Sequence, residues 1–376
     1  MRPLAHLCLH LRHPLHVSAC MAAKRPRPAC DDADYFSAYG RLAVHHDMLS
    51  DAARTAAYKR ALQSVGLAGK TVLDVGAGTG LLSVFAAAAG ARRVYAVEAS
   101  PLAESISTVA ASNGVADRVT VLHGRLEDVT LPERVDVLVS EWMGYALVYE
   151  GMLPSVLAAR DAWLKPGGLM LPSHATLLAA PFADDDRYAA CAAFWADVHG
   201  VDLSCLAAQA QAEDLAAPQL EPLPPDRLLS WPVPLRRLDL RSITAAELLP
   251  WSLPFDAIAL GRARCCGLSL WFSVDFHTAD SAAALARLPQ PPLGVSGPLW
   301  RPPPEALPAV TLGTGPEEEG THWMSTQLYL EAPLAETAQG GLIRGTLRLA
   351  VHPDSARWLT LGLSLEGRAE KVFELT

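Results

Sequence analysis

What this chain lacks closes off several classes of function. No apolar run approaches the roughly 20 residues that a helical membrane span needs. Basic residues are in the minority: 31 Lys and Arg stand against 40 Asp and Glu, a formal net charge of −9. Direct binding to nucleic acid asks for the opposite balance and is not expected. Cysteine numbers only seven, without metal-ligand spacing or a tight framework, and Cys265 and Cys266 are adjacent. That usage suits a reducing compartment and no metal site. No internal repeat is present. The 376 residues, 51% hydrophobic, are enough for two cores.

Acid is missing altogether from residues 1–30, which carry Arg2, Arg12, Lys24, Arg25 and Arg27. Leu4 to Val17 is apolar and His-rich, like a targeting segment. Met21 offers an alternative start. Lys24-Arg25-Pro26-Arg27-Pro28 has the pattern of a short nuclear-import signal, which chance also produces. We read residues 1–30 as a disordered basic tail.

The chemistry begins in Ser140-Glu141-Trp142-Met143-Gly144-Tyr145-Ala146-Leu147-Val148-Tyr149-Glu150-Gly151-Met152. This stretch follows Val135 to Val139, an apolar run of the kind buried in a parallel sheet. Ligands of doubly wound folds sit beyond the carboxyl ends of such strands. Glu141 and Glu150 with an aromatic rim suit a guanidinium, which is planar and forked. The alternative is two solvated surface charges. They meet only if the chain doubles back near Gly144.

Upstream, Val72-Leu73-Asp74-Val75 runs into Gly76, Gly78 and Gly80, followed by a predicted helix from Leu81 to Ala89 that Gly90 caps. The next strand ends at Glu98, placed for ribose hydroxyls. Ser100-Pro101 is the predicted start of another helix. A nicotinamide dehydrogenase would need a different glycine register. The pattern resembles the class I S-adenosylmethionine-dependent methyltransferases. In those proteins the turn after Arg118 to Leu122 meets the adenine, with Leu126 as apolar wall and Glu127 as acceptor. Glu127 is equally well read as one more exposed acid.

Three further segments narrow the resemblance. They are Tyr35-Phe36-Ser37-Ala38-Tyr39, then His45 to Asp51 with Arg54 to Tyr58, and Gly320-Thr321-His322-Trp323. With the double-glutamate loop they resemble the protein arginine methyltransferases, in order and spacing, from about Asp31 to the end. The likeness is greatest to type I enzymes, which make asymmetric dimethylarginine. Gly90 to Ser100 looks most like the nuclear, histone-modifying branch.

The resemblance implies roles. Glu141 and Glu150 would hold the substrate guanidinium, whose charge two carboxylates draw toward one nitrogen so that the other can attack. Arg54 would bind the cofactor's carboxylate and brace one glutamate. His45, Asp74, Gly76, Gly78, Gly80, Glu98, Leu126 and Glu127 would complete the S-adenosylmethionine site. Asp51 and His322 would relay protons. Met48 would leave room for the second methyl, giving the asymmetric product; core packing is the plain alternative. Tyr35, Tyr39, Tyr145 and Trp323 would line the substrate channel. Expected partners are arginine-containing proteins such as histone tails and glycine-arginine-rich segments, and a second copy of the chain. The expected location is the nucleus, with the cytoplasm as a further compartment.

Departures from the family pattern are His46-Asp47 in the lid, Met324-Ser325 after Thr-His-Trp, and Cys266-Gly267. The first two motivate a second reading, a catalytically quiet paralogue acting as a scaffold or coregulator. A small-molecule methyltransferase would leave the Thr-His-Trp match unexplained.

The expected fold is α/β. A methyltransferase domain with its lid covers 31–173, and a β-barrel domain covers 174–376. Within the latter, about 185–215 form a helical dimerisation arm holding Phe194 and Trp195. Pro218 to Pro234 and Pro289 to Pro308 read as surface loops.

Overall fold

The computed structural model describes residues 32–297 and 301–376. The expected tail at 1–30 and its import pattern lie outside the described residues.

Three helices open the fold: α1 (Asp32–Tyr39), α2 (Leu42–Ser50) and α3 (Ala52–Ser64). Asp51 ends α2 and caps α3, its carboxylate accepting from the Arg54 N–H at 2.8 Å. That bond satisfies a donor which a helix start otherwise leaves orphaned. A parallel sheet follows, built from β1 (Thr71–Val75), β2 (Arg93–Glu98), β3 (Val119–His123), β4 (Val135–Ser140) and β5 (Leu164–Leu171), in the order β3-β2-β1-β4-β5. All five residues of β1 are buried. Helices α4 (Leu81–Ala88), α5 (Ala103–Ser112) and α6 (Leu153–Trp163) connect the strands. Strand order reverses between β1 and β4, so the crevice forms beyond their carboxyl ends. The glycine turn and the double-glutamate loop leave from those two ends.

Helix α5 starts later than predicted. Ser100 and Pro101 form a turn ahead of it, in which the Ser100 hydroxyl accepts from Leu102 N–H and its carbonyl from Ala103 N–H. The serine bonds thus serve the lead-in turn rather than the helix itself.

After β5 the pairing becomes antiparallel. Strand β6 (His174–Phe182) lies beside Val233–Asp239 on one edge and Gly267–Phe276 on the other. Gly267–Phe276 also pairs with Val310–Gly313 and with Ser325–Tyr329, and Gln219–Glu221 completes that sheet. A further sheet runs Lys371–Leu375, Ser355–Leu365, Leu342–His352, Trp251–Ile258. The chain is therefore a Rossmann-like methyltransferase domain followed by an antiparallel β-rich domain. One cluster of buried side chains, including Leu73, Leu138, Leu268 and Leu361, runs through both.

The first proline-rich stretch is not all loop. Gln219–Glu221 within it is a sheet strand, because Leu220 and its neighbours pair with Ser325 to Gln327. The second holds Ala306, fully buried, and a short turn at Pro304–Ala306. Helices α7 (Asp185–Ala196) and α8 (Ala207–Asp214) project between β6 and Gln219 with no buried residue; Phe194 is 59% exposed, so it is not core.

Candidate active site

The chain does double back after β4, and the turn is made differently from the expectation. Gly144 N–H donates to the Leu147 carbonyl at 3.1 Å. Positive φ falls on Ala146 (48°), Leu147 (72°) and Glu150 (74°) rather than on Gly144. Gly144 is needed for clearance: a Cβ there would stand 2.3 Å from the Tyr149 carbonyl oxygen. Trp142, Met143, Ala146 and Leu147 are buried and anchor the loop. Non-glycine residues in this backbone region store strain that surrounding packing must hold.

Glu141 and Glu150 then line one cavity of about 810 Å³. Glu141 Oε2 accepts from Arg54 Nε at 3.1 Å and Nη2 at 2.8 Å, an ion pair about nine-tenths buried on both sides. Arg54 also donates to the Met48 carbonyl. Burial works against the guanidinium charge, and Glu141 overcomes it, holding the Arg54 pKa above its usual range. Glu150 Oε2 accepts from the Tyr35 hydroxyl at 2.7 Å and the Tyr39 hydroxyl at 2.6 Å. Burial and the Glu150 charge push both phenols well up, so they remain donors. Burial also raises the Glu150 pKa; the two phenol bonds pull against it, and Glu141 adds to the rise. Among the described residues, α3 occupies Oε2 of Glu141 and the lid occupies Oε2 of Glu150, which leaves each Oε1 for a cation in the cavity.

His322 reaches the same cavity from the far end of the chain. Asp51 Oδ2 accepts from His322 Nδ1 at 2.7 Å and from its backbone N–H at 3.0 Å. Burial opposes the Asp51 charge, but the His322 and Arg54 bonds lower its pKa overall. With Asp51 ionised, Nδ1 carries the proton and Nε2 is left as the acceptor. Trp323 packs against His322 at a tilt, with centroids 4.0 Å apart, and donates from Nε1 to the Met143 carbonyl at 2.9 Å. That bond ties the Thr-His-Trp segment to the double-glutamate loop.

At the other end of the cavity, Gly76 and Gly78 have φ of 73° and 55°. A Cβ on Gly78 would meet His45 Cε1 at 3.0 Å. His45 is buried against the turn, its Nε2 2.8 Å from the Tyr39 carbonyl. Glu98 accepts from the Gly78 N–H and the Ser100 N–H, each at 2.7 Å. A carboxylate has about four acceptor positions, so capacity remains toward the cavity.

Comparison with known proteins now decides the family. The probable protein arginine N-methyltransferase 6.1 of Oryza sativa subsp. japonica is 40% identical over 348 residues, covering 92% of this chain and 88% of its own. Protein arginine N-methyltransferase 6 of Xenopus tropicalis is 40% identical over 361 residues, covering 92% and 95%. This chain belongs to the protein arginine N-methyltransferase family. The family description "Ribosomal protein L11 methyltransferase (PrmA)" matches residues 54–173, and "Arginine methyltransferase oligomerization subdomain" matches residues 173–293. Among solved structures, the Trypanosoma brucei PRMT1 enzyme–prozyme heterotetrameric complex with AdoHcy aligns at TM-score 0.75 and 28% identity, over 90% of this chain and all of that one. PRMT6 with SAH aligns at 0.68 and 29%, over 87% of this chain and all of that one.

A protein arginine methyltransferase uses S-adenosylmethionine, and the residues present fit it. The glycine turn leaves the backbone open, Glu98 closes β2, Leu126 gives an apolar wall, and the cavity runs unbroken to the glutamates. Glu127 lines it too, accepting from Ser155 Oγ at 2.6 Å. Although partial burial opposes its charge, the Ser155 bond lowers its pKa. Met48, Tyr35, Tyr39, Tyr145 and Trp323 all line the same space.

Two expected cofactor residues do not line it. Asp74 is fully buried beneath the turn, accepting from Ser83 Oγ at 2.7 Å, and burial pushes its pKa up to about 7. Gly80 begins α4 against Ile106. Both shape the turn from behind, since the strand's alternation turns Asp74 away from the mouth. Conversely, Met152, Ser155 and Arg357 line the cavity without having been singled out. Met152 and Ser155 lie just past the glutamate loop, within reach of a closer reading. Arg357 belongs to a strand of the second domain with no local motif to mark it. His46 and Asp47, the lid departures, have side chains 79% and 81% exposed. Met324 lines the cavity with φ 52°.

Proposed function

We propose that this chain transfers methyl groups from S-adenosylmethionine to guanidinium nitrogens of arginine residues in proteins, as a type I enzyme giving mono- and asymmetric dimethylarginine. The observation that carries the reading is the convergence of Glu141 and Glu150 on the cavity that the glycine turn opens. When bound, S-adenosylmethionine supplies a sulfonium methyl as electrophile.

The protein's own residues do the rest. A protonated guanidinium spreads its charge over three nitrogens and is a poor nucleophile, with a pKa of roughly 12 or more. Glu141 and Glu150 hold it from two sides and draw the charge toward the nitrogen they bind. Arg54 fixes the Glu141 rotamer; the lid tyrosines fix that of Glu150. Holding both partners in one geometry removes much of the entropic part of the barrier. Tyr35, Tyr39 and His45 close over the cavity and exclude water. His322 Nε2, oriented through Nδ1 by Asp51, is the acceptor for a proton on its way out. Met48 shapes the space beside the target nitrogens, which is where the asymmetric product would be decided.

Histone tails and glycine-arginine-rich segments are the proposed substrates, a choice that the net charge of −9 supports through attraction of basic chains. The exposed arm of α7 and α8 supports a homodimer, and the nucleus is the proposed site of action. Of the departures that motivate the scaffold reading, His46 faces solvent, while Asp47 and Met324 line the cavity in which Glu141 and Glu150 are kept; the two retained glutamates favour transfer over the scaffold. Incubation with labelled cofactor and a panel of histone and glycine-arginine-rich peptides tests the proposal. Label should appear on arginine, and fragmentation should show the asymmetric product. Only symmetric dimethylarginine would exclude type I; cofactor binding without transfer to any peptide would favour the scaffold.

A further inference from the structure

Arg357 stands near the start of Ser355–Leu365, on the second domain, and its contacts converge on two elements of the first. Its carbonyl accepts from the Glu150 N–H at 2.8 Å, and its Nη1 donates to the Glu150 carbonyl at 2.9 Å. Both backbone groups of Glu150 are therefore held by this one residue. Its guanidinium carbon lies 3.6 Å from the centroid of the Tyr35 ring and 5.3 Å from that of Phe36, in the range of a cation–π contact. Tyr35 in turn donates to the Glu150 carboxylate. A closed ring of contacts results: Arg357 to the Glu150 backbone, Glu150 carboxylate to the Tyr35 hydroxyl, Tyr35 ring back to Arg357.

The backbone at this point needs such support. Glu150 and Gly151 have φ of 74° and 63°, and a Cβ on Gly151 would stand 2.5 Å from the Ala356 carbonyl oxygen. A glutamate persists in left-handed conformation only where its surroundings over-determine it. The loop is pressed onto the second domain at the residue that carries the carboxylate.

Resting on the reading of Glu150 as half of a guanidinium clamp, we propose that Arg357 is a positioning residue that sets the Glu150 backbone and the lid tyrosine together from the second domain. It acts through Glu150 and Tyr35 and need not touch substrate. Among the described residues, the charged and titratable groups facing Glu150 are Tyr35 and Tyr39 from α1, Glu141 and Tyr145 from its own loop, and Arg357. Burial raises the Glu150 pKa, and the Arg357 charge works against that rise. The clamp needs the ionised carboxylate, so activity falls as pH drops through that pKa. Without the Arg357 charge the acid limb moves to higher pH.

The test compares Arg357→Met and Arg357→Lys with wild type in the full-length protein. Methyl transfer to a histone-tail peptide is followed across pH 5 to 9. Deuterium exchange of residues 32–50 and 141–151 is measured in parallel. Arg357→Met should lower kcat/KM roughly 10- to 100-fold, the size expected for one charge-assisted hydrogen bond, and shift its acid limb upward. Exchange should rise in both segments. Arg357→Lys keeps the charge and should recover much of the activity and the wild-type limb. Exchange within the same two segments reports on positioning even if wild type transfers no methyl; in that case the function reading fails and the positioning reading is judged by exchange alone. Unchanged exchange in Arg357→Met overturns the proposal, as does equal loss in both variants with an unmoved acid limb.

Discussion

Glu150→Gln is the sharpest perturbation of this site, because it removes charge while keeping shape. The Gln side chain can still accept from Tyr35 and Tyr39, so the lid contacts at 2.7 and 2.6 Å have a partner. What disappears is one carboxylate toward the guanidinium. A hydrogen bond to a charged group contributes roughly 1.5–3 kcal/mol, and the lost polarisation adds to it. Together about 3–4 kcal/mol of transition-state stabilisation should go, or roughly 10²–10³-fold in kcat/KM. Cofactor affinity, measured by calorimetry, should stay within about threefold. Stability should move the other way. Burial raises the Glu150 pKa in the fold, so its contribution to stability is present below the unfolded value of about 4.3 and is lost as pH rises through the folded value. Gln has no such loss, so at neutral pH the variant should melt at or above the wild-type temperature. Turnover within about fivefold of wild type, with fold and cofactor binding intact, would refute the clamp.

Two other substitutions test the scaffold around the clamp. Arg54→Ala leaves Glu141 buried without its ion pair, and breaking such a pair costs roughly 3–5 kcal/mol; a denaturant titration showing a loss under about 1 kcal/mol would contradict the pairing. Asp74→Asn should flatten the pH dependence of stability. With a folded pKa of about 7 against an unfolded value near 3.9, the wild-type contribution is present below pH 4 and lost through pH 7, up to about 4 kcal/mol. Thermal melts of the two proteins at pH 4 to 8 should therefore converge in acid and separate toward neutrality, and parallel curves would show that Asp74 does not titrate there.

How far the sequence reached depended on whether the determinant was local. The glycine turn and the double-glutamate loop are contiguous, and each follows a strand whose apolar run marks it as buried; their meeting at the β1–β4 crevice follows from doubly wound topology. Asp51 and His322 are 271 residues apart and were joined only through resemblance, because no local pattern couples a helix cap to a distant loop. Asp74 lies beneath the turn for a reason of geometry. A strand alternates its faces, and the carboxylate one position before the last strand residue points beneath the turn toward Ser83. The sequence places the reversal near Gly144, but the part Gly144 plays is to admit the Tyr149 carbonyl, a contact seen only once the loop is folded.

Arg357 marks the limit most clearly. It is in step with Ser355, Leu359 and Leu361, which are buried, but nothing in Ser355-Ala356-Arg357-Trp358 says that an arginine there reaches a loop of the first domain. Its place beside Glu150 depends on how the second domain packs against the first. That packing brings the second domain to within a Cβ's clearance of Gly151, and only then does one residue, through its own carbonyl and its guanidinium, satisfy the backbone of Glu150 and lie over Tyr35. The carboxylate that motif reading finds at once is thus held in place by a residue it cannot find. Domain packing, and not the glutamate loop alone, sets the geometry in which an arginine would be received.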